Sequence, residues 1–347
     1  MTKNESHKIK VAITHGDING IGYEVILKTF SDSRMMEHCT PILYGSTKVA
    51  SYHKKLLPQQ HQELNFSAIH DPSQAQERKF NVINLVADEV KIDIGKSTDV
   101  AGKLSRMALD RACEDLKKGA VDVLVTAPIN KKNIQSPDFD FPGHTEYLSD
   151  KFNGKSLMMM VCDRIRIGIV TNHLALKDVP GAITRELMLE KITLMHQSLK
   201  RDFGIPMPKI AVLALDPHAG DNGVIGTQDM EVVKPAIDEA FSSGILAYGP
   251  YPSDGFFGSS EFSNFDGALA LYHDQGLIPF KLMSFTEGVN YTAGLDIIRT
   301  SPAHGTAYDI AGKGKASEQS FRHAVHLACD IMRHRREYDE LTADPLK

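Results

Sequence analysis

Cysteine is scarce in this chain. Its 347 residues hold four, Cys39, Cys113, Cys162 and Cys329, far apart and without CxxC spacing. That pattern argues against a disulfide framework and against a cysteine zinc site, and it fits buried structural thiols in a reducing cytoplasm. Long apolar runs are missing too: none reaches the roughly 18 residues that a membrane-spanning helix needs. The first residues, MTKNESHKIKVAITHGD, lack the apolar core of a secretory signal. There is no basic surplus. Lys and Arg number 39 against 44 Asp and Glu, a formal net charge of -5, so nucleic acid is not an expected partner. No internal repeat or low-complexity tract is visible. At 42% hydrophobic and 24% charged, the chain has the composition of a globular protein with a large core, in one large domain or two smaller ones.

Familiar nucleotide signatures are absent as well. GDINGIG (16–22) follows the first apolar run, where a phosphate-cradling loop could sit, but its glycines do not fit GxGxxG. GKST (95–98) resembles the end of a Walker A loop, yet Val90 stands where that loop requires glycine. AGKGKAS (311–317) reads as a glycine-rich turn, and no GxSxG elbow occurs.

What is present is an alternation. Short β-branched or apolar runs recur as KVAIT (10–14), PILYG (41–45), VINLV (82–86), VDVLVTA (121–127), SLMMMVC (156–162), RIGIVT (166–171), IAVLAL (210–215) and ALALY (268–272). They predict buried strands. Between them lie stretches with apolar spacing of three and four, notably 98–119, with a Thr or Asp cap and a glycine stop, and 184–204. The alternation predicts an α/β protein with a mainly parallel sheet and helices on both faces. Residues 54–80 read as a surface connection, and 318–341 as a last helix that packs back on the N-terminal half.

Three predicted strands run into a histidine: IGIVTNH into His173, IAVLALDPH into His218 and ALALYHDQG into His273. Ligands of open α/β sheets bind beyond the carboxyl ends of strands. A single histidine is usually an ordinary surface or hydrogen-bonded residue. Three at equivalent strand ends also fit one shared metal site, and spacing alone leaves both readings open. Asn172, Asp216, Gly220, Asp274, Gln275 and Gly276 flank them as polar or small residues suited to orienting ligands. Imidazole nitrogen suits Zn²⁺, Co²⁺, Ni²⁺ or Fe²⁺, and open positions could admit Mg²⁺ or Mn²⁺. PGHTEYL (142–148) places His144 and Thr145 at a helix start, where Thr145 would ordinarily be a cap with Glu146 in the first turn. Lys281, Asn290 and Arg299, in a segment rich in glycine and turns, carry the charge and donors that a phosphate needs, and equally read as scattered surface groups.

Together these strings, with THGDINGIGYE (14–24), TAPINK (126–131), GHTE (143–146), TNHLALKDV (171–179), DPHAGDNGVIGT (216–227), YHDQGLIPFK (272–281), GVNYTAGLDIIRTSPAHGTAYDIAGKG (288–314) and ASEQSF (316–321), resemble the 4-hydroxythreonine-4-phosphate dehydrogenase family from about residue 10 to 330. The resemblance implies oxidation of 4-phosphooxy-L-threonine by NAD⁺ or NADP⁺, then loss of CO₂ to leave 3-amino-2-oxopropyl phosphate for pyridoxal 5'-phosphate biosynthesis. It implies one divalent metal (zinc, cobalt or magnesium) on His173, His218 and His273, at a homodimer interface where both subunits contribute. Substrate contacts carry over to His144, Thr145, Lys281, Asn290 and Arg299. Asp254, in YPSDGFF, and Lys131 are candidate catalytic bases, with His144 a third.

The implied fold is isocitrate/isopropylmalate dehydrogenase-like, two α/β/α subdomains with a cleft between them. It accounts for the missing Rossmann fingerprint but names no cofactor-binding residue. The expected division is 8–130 plus 295–347 as one discontinuous subdomain on the cofactor side, and 131–294 as the other, with the metal site and dimer contacts. The chain departs from the family's first loop, usually TPGEPAGIGPE, at His15, Asp17, Ile18, Asn19 and Tyr23. It also departs at Gly255 in SDGFF and in GTQD (226–229). The nearest alternative is a sibling enzyme acting on 4-phospho-D-threonate or 4-phospho-D-erythronate. A phosphate-acyl transferase and a noncatalytic metal- or phosphate-binding protein are further ones.

Overall fold

The computed structural model describes residues 8–86, 90–137 and 139–344. Its strands are β1 (Lys10–Thr14), β2 (Thr40–Gly45), β3 (Phe66–Ile69), β4 (Phe80–Asn84), β5 (Val123–Thr126), β6 (Leu157–Val161), β7 (Arg166–Ile169), β8 (Ile210–Leu213), β9 (Ala247–Tyr251), β10 (Gly267–Ala270), β11 (Val289–Ala293) and β12 (Arg299–Pro302). The chain divides into two compact units. One holds the residues up to Tyr147 with Ile297–Met332, the other Leu148–Asp296 with the residues from Arg333 onward. Against the expected division, 131–147 fall in the first unit and the end of the last helix in the second.

In the first unit the strand order is β3-β4-β2-β1-β5-β12, every pair parallel. Every residue of β2 and β5 is buried. A strand covered on both faces has no reason to alternate, which is why these segments read as unbroken apolar runs. The helix Asp99–Lys117 starts where the Thr98 side chain accepts the Ala101 N–H, and it buries Ala101, Leu104, Ala108, Leu109, Ala112 and Leu116 on one stripe. In the second unit the order is β11-β6-β7-β10-β8-β9, with β11 and β7 antiparallel to β6 and the rest parallel. The α/β class with a mainly parallel sheet is therefore the one observed. The last helix, Gln319–Ala343, runs slightly beyond its expected end. No helix is long and apolar enough to cross a membrane, among the described residues.

Several expectations need correction. The stretch 54–80 is not only surface connection: it contains β3, which closes one edge of the first unit's sheet. VINLV begins two residues late, since β4 starts at Phe80. The segment read as glycine-rich turns holds β11 and β12, so Asn290 and Arg299 stand on strands. β9 was likewise not anticipated.

The second unit is pinned by a buried ionic cluster. The Asp202 carboxylate accepts from Arg335 Nε, Tyr291 Oη and Ser198 Oγ, each at 2.6 Å, while Arg335 also donates to the carbonyls of Leu295 and Asp296. Asp202 and Arg335 are both buried. Removing one partner strands the other charge without solvent. Asp202→Ala is expected to lower unfolding free energy by about 3–5 kcal/mol in urea titrations; a loss below ~1 kcal/mol would show that the cluster is not an anchor.

Candidate active site

In the second unit β7, β10 and β8 lie side by side and parallel. Their carboxyl ends leave on the same edge, and there the chain carries His173, His273 and His218. His273 opens the helix His273–Met283. Gly276 in its first turn lets that helix sit directly on the sheet, since a Cβ there would lie 2.4 Å from Ile169 Cδ1 and 2.9 Å from Ile167 Cγ2. The His173 and His273 rings come to 5.7 Å between centroids, and His273 Nδ1 meets Asp274 Oδ1 at 2.7 Å. Asn172, beside His173, has left-handed backbone with φ +44° and a buried Oδ1 that accepts no hydrogen bond from the described residues.

His218 arrives differently. The residues His218–Asn222 form a run of left-handed backbone, with φ from +43° to +77°. Four of the five are not glycine, at a cost of about 1–2 kcal/mol each. The run is held from behind: a Cβ on Gly220 would fall 2.3 Å from the Gly226 carbonyl. His218 is exposed. Among the described residues no group of three or more His, Cys, Asp and Glu side chains is gathered closely enough to hold a metal ion. The structure brings His173 and His273 together and does not close the triad with His218 within one chain.

Other expected residues of this unit are Asp254, exposed in the first turn of the helix Ser253–Gly258, and Lys281, exposed in the last turn of His273–Met283. Asn290 lies on β11, its Oδ1 buried and without a hydrogen-bond partner among the described residues. A buried amide oxygen in that state is a group that a bound donor would satisfy.

In the first unit Arg299, on β12, is 3% exposed. Its Nε and Nη2 donate to Thr126 Oγ1 at 3.1 and 2.8 Å. Burial lowers its pKa from 12.5 to about 10, with Glu146 acting the other way, so it stays cationic at neutral pH. His144 is held near it. Burial, then the charges of Arg299 and Lys131, pull the His144 pKa well below 6.5, and its buried Nε2 has no hydrogen-bond partner among the described residues. The imidazole is neutral and has one nitrogen unused. Lys131 is exposed, its Cε 3.8 Å from where a Cβ on Gly143 would stand. The helix begins at His144, so Thr145 is buried inside its first turn and is not the cap.

The first loop also shows what its unusual residues do. His15, Tyr23 and His53 form a buried stack, with centroids 5.2 and 5.0 Å apart. His15 Nδ1 meets the Gly16 carbonyl at 2.6 Å and His53 Nε2 the Ile18 carbonyl at 2.8 Å. Between these anchors Asp17, fully buried, accepts from Tyr308 Oη, Asn133 Nδ2 and the Asn19 N–H. Asn130 donates to the same Tyr308 oxygen at 3.0 Å. TAPINK, the first loop and GTAYDIAG are thus one network. The role of Thr126 beside Arg299 was not visible beforehand, because a threonine at a strand end carries no signal of its own.

Burial lowers the pKa of both His15 and His53 from 6.5 to about 4. A histidine held neutral in the folded chain binds its proton only on unfolding between those values, so stability falls as pH drops from 6.5 toward 4. Replacing His53 by Gln should flatten that dependence by roughly 1.4 kcal/mol per pH unit, read from urea midpoints across the range. An unchanged slope would contradict the neutral stack.

The family model described as "Pyridoxal phosphate biosynthetic protein PdxA" matches residues 37–328. A 4-hydroxythreonine-4-phosphate dehydrogenase of Bacteroides thetaiotaomicron is 52% identical over 345 residues, covering 99% of this chain and 94% of the relative. One from Aquifex aeolicus is 39% identical, covering 93% and 98%. Among solved structures, a 4-hydroxythreonine-4-phosphate dehydrogenase from Klebsiella pneumoniae superposes with a TM-score of 0.81 at 31% identity, covering 94% of this chain and 99% of its own. Isocitrate dehydrogenase from Methylococcus capsulatus, at 11% identity and a TM-score of 0.50 over 96% and 89% of the two chains, shares the fold alone.

Proposed function

The chain belongs to the PdxA family of pyridoxal phosphate biosynthetic proteins and is a dehydrogenase, and on that premise we propose how its residues act. The substrate is 4-phosphooxy-L-threonine, oxidised by NAD⁺ or NADP⁺ and decarboxylated to 3-amino-2-oxopropyl phosphate. The observation that carries this reading is the set of three neighbouring parallel strands delivering His173, His273 and His218 to one sheet edge.

The donor chemistry fits a divalent metal: three imidazoles, two of them already converging. We assign the ion, zinc, cobalt or magnesium, to His173, His218 and His273. Bound there it would supply a Lewis acid for the substrate hydroxyl oxygen, and bound NAD⁺ or NADP⁺ would supply the hydride acceptor. Completion of the set by a second copy of the chain is supported by exposed apolar side chains beside the ligands. Leu174 and Leu176 follow His173, Ile278 and Leu282 lie one turn apart on the helix of His273, and Phe285 stands just past that helix's end, Leu282 and Phe285 being more than 80% exposed. Such a stripe is costly in water and ordinary in a homodimer.

The remaining roles follow from charge. Lys281, Asn290 and Arg299 are assigned to the phosphate, so that binding energy at the far end orients the reacting carbon. His144, neutral and with an unused buried Nε2, hydrogen-bonds the substrate together with Thr145. Asp254 takes the hydroxyl proton, with Lys131 as the other candidate base. The four cysteines are free thiols, in keeping with work in a reducing cytoplasm.

Turnover on 4-phosphooxy-L-threonine, followed as NADH or NADPH, should exceed turnover on 4-phospho-D-threonate and 4-phospho-D-erythronate by at least an order of magnitude; the reverse order would identify a sibling enzyme of sugar-acid breakdown. His218→Ala should lose metal and activity together. Asp254→Asn should keep its metal and lose turnover, by about 10²-fold or more if it is the base, and unchanged turnover would remove it from the mechanism.

A further inference from the structure

The loops that end β7, β8 and β10, and the helix that carries Asp254, are separate in sequence, yet one buried side chain joins them. Gln275 is 7% exposed and sits in the first turn of His273–Met283. Its Oε1 accepts the Leu271 N–H at 2.7 Å, two residues before His273. Its Nε2 donates to the Ala214 carbonyl at 2.6 Å, four residues before His218, and to Ser253 Oγ at 2.7 Å, next to Asp254. The Leu271 carbonyl in turn accepts from the backbone N–H and the Oγ1 of Thr171, at 3.3 and 2.7 Å, two residues before His173.

We propose that Gln275 is a positioning residue that sets the mutual placement of the four segments carrying His173, His218, Asp254 and His273. An amide is the side chain that this junction requires. It must accept from one backbone N–H and donate twice on its other side, which neither a carboxylate nor an apolar group of the same length can do. The Gln275 bonds to Leu271 and Ala214 are buried and the one to Ser253 is part-buried, so a partner lost from the junction is poorly replaced by water. The bonds also fall within one to four residues of the functional groups, so a small rotation at the junction becomes a displacement of the side chains beyond it.

A second clamp acts on the His218 side. Asp229, 1% exposed, accepts the N–H groups of Leu215 and Asp216 on its two oxygens, both at 2.8 Å. It opens a short π-helical turn, Asp229–Val233, a form that often marks functional positions. Between the Gln275 bond at Ala214 and the Asp229 bonds at Leu215 and Asp216, the stem of the left-handed run at His218–Asn222 is fixed residue by residue.

The inference rests on the proposed function for what these segments carry, and its test has readouts that do not depend on activity. Co²⁺ binding to the metal-free protein is measured by calorimetry for wild type, Gln275→Met and Gln275→Glu, and amide hydrogen exchange is followed in the same metal-free samples. Expected for Gln275→Met is 10–100-fold weaker Co²⁺ binding, the range found when groups that orient metal ligands are removed. Faster exchange should be confined to 213–218, 252–256 and 270–274, with β1 and β2 unchanged. Gln275→Glu keeps an oxygen to accept the Leu271 N–H and loses the amide donor to Ala214 and Ser253, so its faster exchange should be confined to 213–218 and 252–256. This narrower pattern decides the matter if the Met variant does not fold.

Wild-type Co²⁺ affinity and unaltered exchange in Gln275→Met would overturn the proposal, as would wild-type exchange at 213–218 and 252–256 in Gln275→Glu. Failure of the wild type to bind Co²⁺ would instead remove the metal reading. The exchange pattern would still decide whether Gln275 positions the loops.

Discussion

Parallel pairing of β7, β10 and β8 is the constraint on which the candidate site depends. Parallel neighbours send their carboxyl ends to the same edge, so three chain exits separated by as many as a hundred residues in sequence open side by side. Antiparallel pairing of any one of them would have carried its histidine to the opposite edge. The sheet itself is not polar; its contribution is direction. Gly276 serves the same end, because only a residue without a Cβ lets the helix that begins at His273 rest against Ile167 and Ile169.

Direction alone leaves the loops free, and buried polar groups remove that freedom. Gln275 and Asp229 hold the exits of the second unit by hydrogen bonds to backbone. In the first unit the His15, Tyr23 and His53 stack holds the loop carrying Asp17. The same burial tunes the chemistry. His144 stays neutral because an imidazolium there would be desolvated beside Arg299 and Lys131, whereas Arg299 has enough basicity to remain charged despite its burial. A neutral donor or acceptor and a fixed cation are therefore set side by side by one environment.

Much of this was legible beforehand. The strands β1, β2, β5, β6, β7, β8 and β10 are apolar runs because both faces of the sheet are covered, and the helices at 99–117 and 185–201 carry Thr98 and Thr184 as side-chain caps. β11 and β12 were not legible as strands. VNYTA and RTSP place polar or aromatic residues inward, where Arg299 bonds Thr126 and Tyr291 bonds Asp202. A strand that buries hydrogen-bonded polar groups has no apolar signature. β3, short and only partly buried, lacked one for the opposite reason.

The sequence by itself determined the α/β class, the family, and the three histidines as strand-end residues, since each rests on local pattern or on long motifs that survive without coordinates. Tertiary structure alone decided that β7, β10 and β8 are neighbours, that His144 is neutral, that His218 stands on a left-handed run, and that Gln275 reaches three segments at once. These facts depend on which distant residues share a small volume and on how far water is excluded from it, and neither quantity is written in the order of the residues.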